Sequence, residues 1–141
     1  IGCGECVVVC PVNAVIIQWK TDEASIQRKT AEYALGVMAG KENRAGFVNF
    51  LLNISPECDC EPWNNPPLVP DLGILASRDP VAIDQASVDL VNSALGGAPA
   101  GGLLTGAEDK LRAATGRDWS HILEHGQKIG LGSRSYNLIE I

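Results

Sequence analysis

Apolar and polar positions along this chain fall into short periodic stretches separated by turn-forming residues. Between Thr21 and Met38, apolar side chains recur at Ile26, Tyr33, Ala34, Val37 and Met38. Steps of three, four and seven predict a helix with one buried face. Thr21 or Asp22 would cap its start and Gly40 its end. Residues 46–54 (GFVNFLLNI) are β-branched and aromatic and predict a buried strand, and residues 72–77 predict a second. Residues 14–19 read as a shorter apolar strand. Asp79-Pro80 is a helix start, a capping carboxylate followed by a ring whose φ already suits the first turn. That helix is expected to run to about Leu95 and to bury Ile83, Ala86, Leu90 and Ala94. Past a flexible loop at 96–102, helices are expected over 106–115 and 118–129, and a last strand over 135–141. No stretch repeats. Strands alternating with helices imply the α/β class, with a mixed sheet flanked by helices.

Two stretches resist this periodicity. Residues 1–13 are rich in Cys, Pro and Gly and read as turns. Residues 55–70 carry Pro56, Pro62, Pro66, Pro67 and Pro70 beside Cys58 and Cys60, so a long loop is expected, functional or disordered. The 141 residues suffice for one domain with a real core and fall short of two. A net charge of −6 argues against a surface for nucleic acid or anionic membrane, which needs clustered Lys and Arg. No apolar run nears the ~20 residues that span a bilayer. The start shows neither a basic signal-peptide region nor a cleavage signature. It also lacks an initiating Met, so a fragment or a processed product is expected.

Three of the five cysteines fall within eight residues, a spacing that suits metal ligation in a reducing cytosol better than a disulfide framework. A four-iron cluster needs four thiolates aimed at one cube. The bacterial run Cys-x-x-Cys-x-x-Cys-x-x-x-Cys-Pro sets three on a tight loop and sends the fourth to a neighbouring cluster. Cys3, Gly4, Glu5, Cys6, Val7, Val8, Val9, Cys10 and Pro11 match its last three cysteines and its proline. Gly4 leaves room for N–H groups near the sulfides. Ile1-Gly2 fills the preceding x-x, so a cysteine is expected just ahead of Ile1. A structural zinc knot is the competing reading for these thiols. Cys58-Asp59-Cys60 leaves two readings open, metal or redox ligation, or a packed loop with inert thiols. Glu57, Asp59 and Glu61 surround that pair with charge that disfavours a reactive thiolate.

Further stretches carry a family likeness. They are Ala31-Glu32-Tyr33-Ala34-Leu35-Gly36-Val37, the Cys58-Asp59-Cys60 loop, the run from Val69-Pro70-Asp71 through Ser77-Arg78-Asp79-Pro80 to Ala86-Ser87, and Gly130-Leu131-Gly132-Ser133-Arg134-Ser135-Tyr136. Together they resemble the prokaryotic iron–sulfur centre proteins of domain of unknown function 362. That resemblance implies a ferredoxin-type insert with two cysteine runs inside a larger α/β domain, this chain being the C-terminal portion cut within the second run. It implies a cytoplasmic protein, typical of anaerobes, with two 4Fe–4S clusters when intact. It supplies no substrate, redox partner or oligomeric state. The chain is accordingly divided into a partial ferredoxin-like segment, 1–20, and an α/β domain, 21–141.

The expected function is one-electron transfer. Cys3 and Cys6 would ligate one cluster with the cysteine ahead of Ile1, and Cys10 a neighbouring one. Val7, Val8 and Val9 would exclude solvent. With a ligand missing, this chain alone is expected to hold clusters poorly. One alternative is an oxidoreductase that uses the clusters as its relay and the 58–70 loop as a wall of its site. Another is a non-catalytic binding module stabilised by zinc or a structural cluster. Other signals are weaker. His121-Ile122-Leu123-Glu124-His125 fits an inverted zinc-peptidase motif, but Glu140 is the only acid after His125 to serve as third ligand. The glycines at 96–102 and 130–132 do not follow a strand, as a phosphate cradle should. Asp79 and Asp84 are adequately explained by capping and the helix dipole. Trp19, Trp63 and Trp119 are scattered, as core or rim residues would be.

Overall fold

The computed structural model describes residues 5–16, 22–41, 44–56, 65–95, 104 and 106–141. In chain order these form α1 (Glu5–Val9), α2 (Glu23–Met38), β1 (Phe47–Leu51), β2 (Gly73–Ser77), α3 (Pro80–Ser93), α4 (Lys110–Thr115) and α5 (Ser120–Lys128). The class is α/β, as expected. Among the described residues the sheet is one antiparallel pair, with Phe47 opposite Ser77 and Leu51 opposite Gly73.

α2 starts where its polar cap is. The Asp22 carboxylate accepts the Ser25 N–H at 2.8 Å, while Gly40 takes the left-handed turn (φ 75°) beyond the last residues. The two strands are not buried on both faces as their apolar runs suggested. Val48, Phe50 and Ile74 are more than half exposed on one face, while Phe47, Asn49, Leu51 and Leu75 face α3. Strand residues alternate between faces, and α3 covers only one.

α3 begins at Asp79-Pro80 as its sequence requires. It buries Val81, Ala82, Ile83, Gln85, Ala86, Ser87 and Val91, so Ile83 and Ala86 are placed as expected, while Leu90 and Ala94 are only half-buried. The core forms where Leu68, Val69, Val91 and Leu104 meet, with Ile54, Leu72, Ala94, Leu111 and Ala114 around them. Leu68 and Val69 thus pin the end of the proline-rich loop, and the Leu68 N–H donates to the Ile54 carbonyl at 2.7 Å.

Four expectations change. Residues 5–9 are helical rather than a turn, because Pro11 stops the helix and nothing before it does. Residues 14–16 are irregular, and the rest of the strand expected there lies outside the described residues. Residues 135–141 form no strand. They run past β2 and α3 without a ladder, held instead by the Tyr136 hydroxyl donating to Asp89 at 2.8 Å. α4 starts at Lys110, later than expected, because Asp109 is the residue that caps it, accepting the Arg112 N–H at 2.9 Å. The loop at 96–102 lies outside the described residues.

Candidate functional site

Glu5 sits in the first turn of α1, where negative charge suits the helix dipole. The helix carries Cys6 exposed to solvent and delivers Cys10, half-buried, at its end. The chain then folds back over Cys10. Asn13 adopts φ 50°, its N–H reaches the Cys10 carbonyl at 3.3 Å, and the Ala14 N–H donates to Cys10 Sγ at 3.2 Å. Backbone N–H groups, Val12 foremost and then Ala14, hold the thiol below the usual cysteine range. Desolvation opposes them, and Val15 and Asn13 assist. Donors aimed at sulfur favour thiolate over thiol.

Val7, Val8 and Val9, expected to exclude solvent from a cluster, lie along α1. Val8 is 84% and Val9 65% exposed, because α1 buries none of its residues. Cys3, Cys58 and Cys60 lie outside the described residues, as do Glu57, Asp59 and Glu61. Among the described residues, no three His, Cys, Asp or Glu side chains converge as metal ligands.

The weaker motifs receive structural partners. His125 Nε2 meets Glu32 Oε1 of α2 at 3.0 Å, and Glu124 pairs with Arg134 at 3.7 Å, so the His-x-x-Glu-His pattern ties α5 to its neighbours. Asp79 is occupied by three backbone donors, the N–H groups of Val81, Ala82 and Ser133 at 2.8–2.9 Å. Asp84 accepts from Asn49 at 2.8 Å, joining α3 to β1. Trp119 donates to Asp109 at 2.8 Å.

A cavity of about 320 Å³ opens between the end of α2, the start of α3 and the turn at Gly130, lined by Leu35, Met38, Arg78, Pro80 and Leu131 among others. Sequence reasoning missed Arg78. Asp79 beside it is committed to backbone donors, and Arg78 has no ion pair or hydrogen bond among the described residues. The only sequence signal was its place in the Val69–Ser87 run.

Comparison with known proteins adds one match. The family model described as Domain of unknown function (DUF362) covers residues 9–89. It is narrower than the resemblance drawn from sequence, taking in Cys10, Arg78, Asp79 and Asp84 but stopping within α3. No curated protein and no solved structure matches the chain.

Proposed function

The chain belongs to the domain of unknown function (DUF362) family, and on that premise we propose that it is a ferredoxin-like iron–sulfur protein that passes single electrons. The observation that carries this reading is the Cys10 turn, where backbone N–H groups surround a thiol within an iron–sulfur cysteine run. The donor set suits such a group, since thiolates with N–H donors on sulfur are what these clusters take. Cys3 and Cys6 would ligate one cluster and Cys10 a neighbouring one. When bound, a 4Fe–4S cluster supplies reversible one-electron transfer. The chain favours the thiolate at Cys10 through its N–H groups, and the exposed Val8 and Val9 leave this side open to a docking protein or to solvent.

The test is anaerobic purification of the intact protein with iron and acid-labile sulfide counted, followed by electron paramagnetic resonance after reduction. Iron and sulfide in equal amounts, with a signal that appears on reduction and disappears on reoxidation, are expected. Stoichiometric zinc without sulfide would overturn the proposal and favour a structural metal module.

A second reading, an oxidoreductase fed by such clusters, draws support from the cavity at Arg78. Arg78, without an ion pair among the described residues, lines this cavity together with Leu35 and Met38, a combination that suits a small carboxylate with an apolar body. Turnover of a carboxylate acceptor that Arg78→Gln abolishes, with the clusters still reducible, would support it. Turnover that survives the substitution would refute it.

A further inference from the structure

The face of α2 that carries Ile26, Thr30, Tyr33 and Val37 is distinct from the one packed on α5, where Gln27 and Ala31 lie. Their spacing of four, three and four is that of a helix-pairing seam. Ile26 is 54%, Tyr33 79% and Val37 63% exposed. Thr30 turns its hydroxyl back to the Ile26 carbonyl at 3.0 Å, so that group is already satisfied within the helix.

The seam is also a palindrome. Ile26 and Val37 lie equally far from the peptide between Ala31 and Glu32, and so do Thr30 and Tyr33. Asp22 and Lys41 obey the same symmetry, and Glu23 and Arg44 add charge of the same sign near each of these ends. Within the chain Asp22 also caps α2, and the ion pairs at the acidic end are long and exposed. Asp22 lies 4.0 Å from Arg28 and Glu23 3.8 Å from Arg117, all exposed, while Lys41 and Arg44 bond backbone carbonyls of their own turn.

We propose that this face of α2 is a homodimer interface, two copies packing antiparallel about a two-fold axis level with Ala31 and Glu32. Ile26 then meets Val37 of the second copy and Thr30 meets its Tyr33, each contact occurring twice. The acidic end of each helix lies beside the basic end of the other, and the helix dipoles oppose each other. Such a self-complementary contact closes at two copies. The apolar side chains offer on the order of 400 Å² per copy, half the roughly 800 Å² of a standard interface, so association is weak and concentration-dependent.

Sedimentation equilibrium of the intact protein from about 10 μM to about 1 mM, a range set for a weak complex, tests this. A monomer–dimer equilibrium without larger species is expected. Tyr33→Glu or, should that variant misfold by circular dichroism, Val37→Lys is expected to weaken it about tenfold or more. Glu23→Lys and Lys41→Glu should each weaken it severalfold, and the double reversal should restore it. Monomer throughout, open-ended oligomers, a dimer indifferent to these seam variants, or a double reversal without rescue would each overturn the proposal.

Discussion

Gly132 shows how little room separates the C-terminal tail from the start of α3. A Cβ there would lie 2.0 Å from Asp79 Oδ1, at the carboxylate that caps α3 and holds the Ser133 N–H. Gly132→Ala must therefore push the tail or the cap away, and is expected to cost about 1–3 kcal/mol, read as a lower urea midpoint. Tyr136, three residues beyond Ser133, adds a pH-dependent tie. Desolvation first, then its hydrogen bond to Asp89, raise its ionisation above the ordinary 10.0. The fold thus favours the protonated phenol. Its stabilisation is complete below the unfolded value and is lost as pH rises through the folded one. Ultraviolet titration of Tyr33→Phe, which leaves Tyr136 as the one tyrosine, is expected to show ionisation above that of free tyrosine, falling back to it in urea.

At the scale of elements, α5 depends on what precedes it. Asp118 accepts the Ser120 hydroxyl at 2.7 Å and its N–H at 3.0 Å, and pairs with Arg112 of α4 at 2.9 Å. The Ser120 side-chain bond foremost, then the Ser120 N–H, lower the Asp118 pKa, with Arg112 assisting. A depressed folded value means that this contribution is present above the unfolded value near 3.8 and is lost as pH falls through the folded one. Asp118→Asn is expected to flatten the acid limb of a pH–stability curve and leave the neutral-to-alkaline limb parallel to the parent. α2 and α5 are further joined by Gln27, whose amide oxygen accepts the Ile122 N–H at 3.1 Å while its nitrogen donates to the Asp118 carbonyl. Gln27→Ala would leave those backbone groups to water and is expected to cost about 1 kcal/mol in thermal or urea unfolding.

At the scale of the whole molecule, the described part of the cysteine segment buries none of its α1 residues against the packed body. α1 contributes no buried residue, whereas the core gathers from the end of the proline-rich loop, α3, Leu104 and α4. Stripping metal with a chelator is therefore expected to bleach any cluster while far-UV circular dichroism and the main melting transition stay nearly unchanged. Loss of the whole transition on chelation would show instead that the metal nucleates the fold. Among the described residues no helix is long and apolar enough to cross a membrane. The exposed outer face of the sheet, Val48, Phe50 and Ile74, is the largest departure from what the strands' apolar runs implied.

Local signals were enough wherever one residue's chemistry acts on its own neighbours. Asp22 and Asp79 mark the starts of α2 and α3 and Gly40 ends α2, because capping and left-handed turns span only a few residues. Tertiary packing decided the rest. Whether a β-prone run is buried on one face or two depends on which layers lie over it, and whether residues 135–141 become a strand depends on a free ladder beside them. Neither is encoded in a five-residue window. Arg78 and the α2 seam became visible only once neighbouring elements had claimed their partners, since which charges and faces the described residues leave exposed is defined by what packs elsewhere.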